Sequence, residues 1–232
     1  MSQANRFAGA TILAAALASA GASAVAAPVS GSYKGTIVAD SDLGLVGMTM
    51  YADFTYDDAV APGSTFLTLR TAMFDAPILS LSVRIGANVW AFDPINGGSF
   101  AEQTDDGVLG SIVEDRFDFS AYTFAGPDLV SEPVTPDAYS FSLYLWDEQP
   151  ANAPDALSDF LALPAVAPVP EQFQTQGLHL MQFSFFTGDP ELGDRYFIET
   201  GPVSTASPVP VPAAFWLLGT GLAATGLLRR RK

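Results

Sequence analysis

The stretch Met48-Thr49-Met50-Tyr51-Ala52-Asp53-Phe54-Thr55-Tyr56-Asp57 alternates residue by residue. Met48, Met50, Ala52, Phe54 and Tyr56 would share one face, and Thr49, Tyr51, Asp53, Thr55 and Asp57 the other. A period of two belongs to a strand buried on one side and no helix produces it. Tyr139, Phe141, Leu143 and Leu145 alternate in the same way with Ser140, Ser142, Tyr144 and Trp146. Further strands are predicted over residues 33–39, 65–74, 79–85, 89–92, 116–124, 178–186 and 195–199. Clusters of Gly, Pro, Asn and Asp separate them: Ala61-Pro62-Gly63, Asp75-Ala76-Pro77, Gly86-Ala87-Asn88, Asn96-Gly97-Gly98, Asp105-Asp106-Gly107, Gly126-Pro127 and Gly188-Asp189-Pro190. Short strands with frequent turns and no helical apolar repeat predict an all-β, antiparallel β-sandwich of jelly-roll-like form over residues 27–200. Residues 149–170 carry Pro150, Pro154, Pro164, Pro168 and Pro170, and read as a long surface loop with at most one helical turn at 156–161. Residues 201–208 read as a Ser/Thr/Pro spacer.

Composition narrows the chemistry. The 232 residues include 17 Phe, 7 Tyr and 3 Trp, too much apolar surface for a disordered chain. There is no cysteine and one histidine. Disulfides, thiol redox chemistry, cysteine catalysis and multi-histidine zinc sites are therefore excluded, leaving carboxylates and hydroxyls. All 25 acidic residues lie between Asp40 and Glu199, where the basic residues beyond Lys34 are Arg70, Arg84, Arg116 and Arg195. Nucleic acid is excluded as a partner, because phosphate recognition needs a basic footprint.

The other five cations stand in the two apolar ends. Arg6 precedes an apolar run over residues 7–20, which closes in small residues at Ala24-Val25-Ala26. That is the layout of a signal peptide, residues 1–26, with signal peptidase cutting after Ala26 and Ala24 and Ala26 as the small residues of the site. At the other end the apolar residues 213–228 would make a helix of roughly 24 Å, short for a hydrocarbon core of about 30 Å. It spans a membrane with help from snorkelling cations or local thinning. Arg229, Arg230, Arg231 and Lys232 would hold its end in the cytoplasm, so the acidic middle of the chain lies across the membrane from them. A lipid-anchor signal would end without such a basic cluster.

The tail VPVPAAFWLLGTGLAATGLLRRRK, residues 209–232, resembles the PEP-CTERM sorting signal in its VPLPA-type variant. Val209, Pro210, Val211 and Pro212 occupy the motif, with Val211 where that variant has Leu. The resemblance implies a substrate of an exosortase, a membrane enzyme that removes the tail. It also implies delivery to the cell surface or extracellular matrix of bacteria that often make exopolysaccharide. The domain itself resembles a recurrent all-β ectodomain on such proteins. The matching pieces, in order, are Gly35-Thr36, residues 52–57, residues 82–86, Asp105-Asp106-Gly107, residues 141–145 and residues 180–185. That resemblance implies a fold and no reaction.

Candidates for chemistry are few. His179 is the only imidazole, shares a strand face with Met181, Phe183 and Phe185, and has no nucleophile-elbow motif to serve. The acid pairs Asp57-Asp58, Asp105-Asp106, Glu114-Asp115 and Asp147-Glu148, with Asp40-Ser41-Asp42, could hold calcium. They lack EF-hand or repeat spacing and read as solvated loop residues. No cofactor is assigned, calcium being the one candidate. Two carboxylates about 5 to 9.5 Å apart would suit a glycosidase, but among 25 acids such a pair arises by chance. Trp90, Trp146, Tyr144 and Tyr122 could stack sugars, and only Tyr144 and Trp146 face away from an apolar stripe. The sequence thus points to a non-enzymatic exported surface protein. Two alternatives are kept: an exopolysaccharide-binding module, predicting exposed coplanar aromatics, and a secreted glycosidase or esterase, predicting a cleft of acids or one built on His179.

Overall fold

The first strand, β1 (Val29–Ala39), belongs to both halves of the sheet system. Its residues Val29 to Thr36 pair antiparallel with β2 (Thr49–Tyr56), while Ile37 and Ala39 pair with β12 (Arg195–Thr200), the register shifting between the two. The structure is a computed structural model describing residues 27–109, 112–149, 156–173, 179–188 and 194–207. One run of strands continues from β2 to β5 (Ile78–Ile85), β6 (Asn88–Phe92) and the short β9 (Phe124–Ala125). The other runs from β12 through β11 (His179–Phe186), β10 (Ser140–Gln149), β8 (Ile112–Tyr122) and β7 (Ser99–Leu109) to β4 (Thr71–Asp75) and β3 (Ser64–Phe66). Every pairing is antiparallel, and the described residues contain no α-helix, only single 3-10 turns at Leu67–Leu69, Pro136–Ala138 and Pro170–Gln172.

The two runs face each other as in a sandwich. Along β2 the side chains of Met50, Ala52, Phe54 and Tyr56 are buried and those between them half-buried, as the alternation predicts. On β10 Phe141, Leu143 and Leu145 are buried. Rings meet across the layers: Phe54 on Phe119 at 4.9 Å, Tyr56 on Phe117 at 6.2 Å and Trp90 on Phe183 at 5.0 Å between centroids. Truncating one of these, Phe119→Ala, would cost about 3–5 kcal/mol, because a rigid interior collapses only partly around the void.

Five segments depart from the sequence reading. The strand expected over 65–74 is a hairpin: it turns at exposed Leu67–Leu69, and Arg70 takes a left-handed φ of 49°. Asp105-Asp106-Gly107 is not a turn. Thr104 faces Arg116 and Gly107 faces Glu114, so Asp105 and Asp106 together oppose Asp115, which is a β-bulge with Asp106 at φ 50° inside β7. The strand expected over 116–124 breaks at Thr123, φ 76°, where the chain leaves β8 and enters β9 in the other layer.

The segment over 156–173 is a strap across the core. Leu157, Leu163 and Phe173 are buried, and the Tyr56 hydroxyl donates to the Pro164 carbonyl at 2.6 Å, with Tyr33 donating to that of Pro168. It has no α-helical turn. The stretch read as a spacer is also docked, through residue 207: β13 (Ser204–Thr205) pairs with β1, and Val203 and Ala206 are buried. Among the described residues no helix is long and apolar enough to cross a membrane. The signal segment with Ala24 and Ala26, the motif Val209, Pro210, Val211 and Pro212, the apolar run 213–228 and the cations Arg229, Arg230, Arg231 and Lys232 lie outside the described residues.

Candidate functional site

The outer face of β7, β8 and β10, turned away from the core, carries the most organised polar cluster. Strand register makes Thr104, Arg116 and Trp146 one cross-strand row and Glu102, Asp118 and Tyr144 the next. The Arg116 guanidinium lies 4.2 Å from the Trp146 ring centroid, with Nη1 3.1 Å from Glu102 Oε1 and Nε donating to Asp118 Oδ2 at 2.5 Å. The Trp146 indole N–H donates to the other Asp118 oxygen. Asp118 is buried beneath these larger neighbours. That burial pushes its carboxyl up to about 7, against the pull of Arg116 and the two hydrogen bonds.

A groove of about 320 Å³ opens beside this cluster. Its floor is the outer face of β4, β7 and β8, with Thr71, Glu102, Thr104, Glu114 and Arg116. Its rim is the curled hairpin, with Phe66 and Leu69, and Val108 beyond the bulge. The bulge creates the groove's end, since it bends β7 where Gly107 returns to register. A second cavity of about 310 Å³ lies under the strap. Gln103 lines it; its amide nitrogen donates to the Asp159 carbonyl, while its Oε1 is buried without a partner.

The aromatics divide. Trp90 is core, its N–H donating to the Pro127 carbonyl at 2.9 Å. Tyr144 and Trp146 are half-buried on the outer face, 6.0 Å apart with their rings at 88°, so they form no coplanar platform. Tyr122 is exposed and stacks on Phe100 at the far end of the same face.

Apart from Asp57-Asp58, which lies in the turn after β2, these acid groups do not behave as solvated loops. Asp40, Asp105, Asp115 and Asp147 are buried. For Glu114-Asp115 and Asp147-Glu148 the reason is the pleat: adjacent residues of a strand point to opposite faces, so one of two consecutive acids must turn inward. Asp115 accepts from the Asp106 and Ala156 amides at 2.9 and 2.8 Å, Asp105 takes the Arg70 guanidinium, and Asp40 accepts from the Leu45 and Val46 amides at the first turn. Among the described residues no group of three or more histidines and acids is placed to hold a metal ion. His179 is half-buried with Nε2 3.1 Å from the Trp146 carbonyl oxygen, and burial lowers its pKa against the pull of Asp147.

No family model, curated protein or solved structure matches this chain. The site therefore rests on its own geometry. Arg116, Asp118, Glu102 and Phe66 escaped the sequence reading. Arg116 and Asp118 stand two apart in a predicted strand and so share a face, which was a legible signal. Their pairing with Glu102 and Trp146 depends on register between strands, which is not.

Proposed function

We propose that this is an exported, non-enzymatic cell-surface or extracellular-matrix protein, delivered by its N-terminal signal and released from its membrane precursor by an exosortase-type enzyme acting at Val209 to Pro212. The observation that carries the reading is the charge and apolar layout of the two ends around a net acidic middle. Among the described residues the last one buried on the domain is Ala206, three positions before the motif in the sequence. The finer fold, a jelly-roll-like sandwich borne between a signal helix and a membrane helix, is part of the same proposal. The passages of the chain between layers from β4 to β5 and from β6 to β7 support its first half.

The non-enzymatic reading is supported by how the titratable groups are used. His179 faces a backbone carbonyl, Asp105 and Asp115 hold backbone and arginine, and Asp118 is locked under Trp146. A glycan-binding role is the second reading, favoured by the groove beside Trp146 rather than by an aromatic platform.

Processing is tested by intact mass of the protein recovered from membranes and from the cell surface. The surface form should start at Ala27 and lack Arg229, Arg230, Arg231 and Lys232. Neutral replacements of these four should abolish release, because the charges hold the tail in register with the membrane. A surface form that keeps its RRRK end sinks the proposal.

A further inference from the structure

The turn that carries the chain from β6 to β7, and so from one layer to the other, reads Asp93-Pro94-Ile95-Asn96-Gly97-Gly98. Asn96 is exposed and is the only asparagine of the chain followed by glycine. Such a pair can react with itself. The Gly97 amide nitrogen attacks the Asn96 side-chain carbonyl carbon, ammonia leaves, and a succinimide ring closes. Water then opens the ring at either carbonyl, giving aspartate or isoaspartate, whose main chain is longer by a carbon. A side chain on the following residue would hinder the attack, and Gly97 has none. Packing forbids one there, since a Cβ at Gly97 would overlap the carbonyl oxygens of Tyr122 and Asp93. The fold therefore requires, at this position, the residue that leaves the nitrogen bare.

We propose that Asn96 is a deamidation site and that Asp93 is the positioning residue that restrains it. Both reacting groups are bonded to Asp93. The Gly97 N–H donates to the Asp93 carbonyl oxygen at 2.8 Å, so the nitrogen must give up this bond before it can lose its proton and attack. The Asn96 side-chain N–H donates to Asp93 Oδ2 at 2.8 Å, which ties down the amide that would be attacked. Asp93 Oδ1 accepts from the Ile95 and Asn96 main-chain amides at 2.9 and 3.2 Å, fixing the turn between the two groups. The Asn96 side-chain bond, followed by the two main-chain bonds, holds the Asp93 carboxyl below its ordinary range and outweighs desolvation. The resulting negative charge opposes the negative charge that grows on the Gly97 nitrogen and the Asn96 oxygen during attack. Reaction thus waits for the turn to open. Its product matters to the fold: the Gly98 carbonyl accepts from the Tyr122 amide at 2.9 Å and the Asp93 amide donates to the Thr123 carbonyl at 3.0 Å. An extra main-chain carbon between these bonds has no room beside Tyr122, so isoaspartate would loosen the crossing between layers. The inference does not depend on how the ends of the chain are processed, so either can fail without the other.

The test incubates the full chain, held in detergent micelles, in mildly alkaline buffer with and without guanidinium chloride. The tryptic peptide containing Asn96 is followed by its mass and by labelling with an isoaspartate methyltransferase. Asn88, in the same peptide but followed by Val89, is the internal control. Conversion at Asn96 should be about tenfold or more slower in the folded chain than in denaturant, because opening must precede attack. Asp93→Ala should speed conversion in the folded chain about fivefold or more, each lost bond being worth a factor of roughly two to ten, and should change nothing in denaturant. Asp93→Asn keeps an oxygen for the main-chain amides and loses only the acceptor for the Asn96 side chain, so its rate should fall between the two. Amide exchange in β8 and β10 verifies that the variants are folded, and should Asp93→Ala unfold, Asp93→Asn decides by the same comparison. Equal rates with and without denaturant, conversion of Asn88 as fast as Asn96 in denaturant, or folded variants that react no faster than the unaltered chain would overturn the proposal.

Discussion

Asp118 is an ionisable group placed where a strand's outer face is dry. Its neighbours Trp146, Arg116 and Tyr144 are larger, so the residue is 4% exposed without being in the core. Desolvation outweighs the arginine, and its folded pKa of about 7 stands above the ordinary carboxylate value. A raised folded value means that the protonated group favours the fold. That contribution is complete below about pH 4 and is lost as pH rises through about 7. Its full size is at most about 4 kcal/mol from the shift of three units. Urea denaturation at pH 5 and pH 8 should therefore show the protein losing stability with rising pH, with Asp118→Asn losing markedly less. Parallel pH profiles for the two proteins would mean that Asp118 is ionised across the range.

At the scale of elements, β13 is, with β9, one of the two shortest strands, and it is the one nearest the tail. It has two paired residues, and Glu171, at the 3-10 turn ending the strap, holds it through bonds from the Thr205 amide and hydroxyl, both 3.0 Å. Although burial raises the Glu171 pKa, these hydrogen bonds bring it below its ordinary value, so protonation in acid loosens the clasp. Glu171→Ala should speed amide exchange at Thr205 about tenfold while leaving the β8 and β10 amides unchanged. Unchanged exchange at Thr205 would show that the pairing with β1 suffices. The clasp illustrates what was legible in the sequence and what was not. Strands with a strict period, such as β2 and β10, could be read to within about three residues, because one face must be buried wherever it lies. Glu171 and Thr205 are 34 positions apart, and nothing local brings them together. The bulge in β7 was misread for a related reason: Asp-Asp-Gly favours a left-handed residue, and a turn and a bulge both supply one. The groove rim depended on where the segment 64–75 folds back, and its run of Thr, Phe and Leu carries no glycine or proline to mark the place.

For the whole molecule the governing quantity is charge. Among the described residues the ion pairs involve Arg70 and Arg116, and Arg84 lies over the Tyr51 ring at 4.0 Å, so cations neutralise few of the 25 acids. Asp40, Asp105, Asp115 and Asp118 are held by backbone amides, arginine or the Trp146 indole at fixed places, whereas the exposed acids repel one another across the surface of a domain that no disulfide constrains. Repulsion of this kind acts over the Debye length, about 30 Å at 0.01 M salt and about 8 Å at 0.15 M. Raising sodium chloride between those concentrations should therefore raise the melting temperature by several degrees, most of the gain coming at the low end. Calcium chloride at matched ionic strength separates screening from site binding, since a specific site adds stabilisation that saturates with concentration. With Asp105 and Asp115 already bonded to protein groups, calcium should give no more than sodium does at equal ionic strength. A saturating extra rise at millimolar calcium would instead place a cation among these carboxylates and overturn the reading of them as structural.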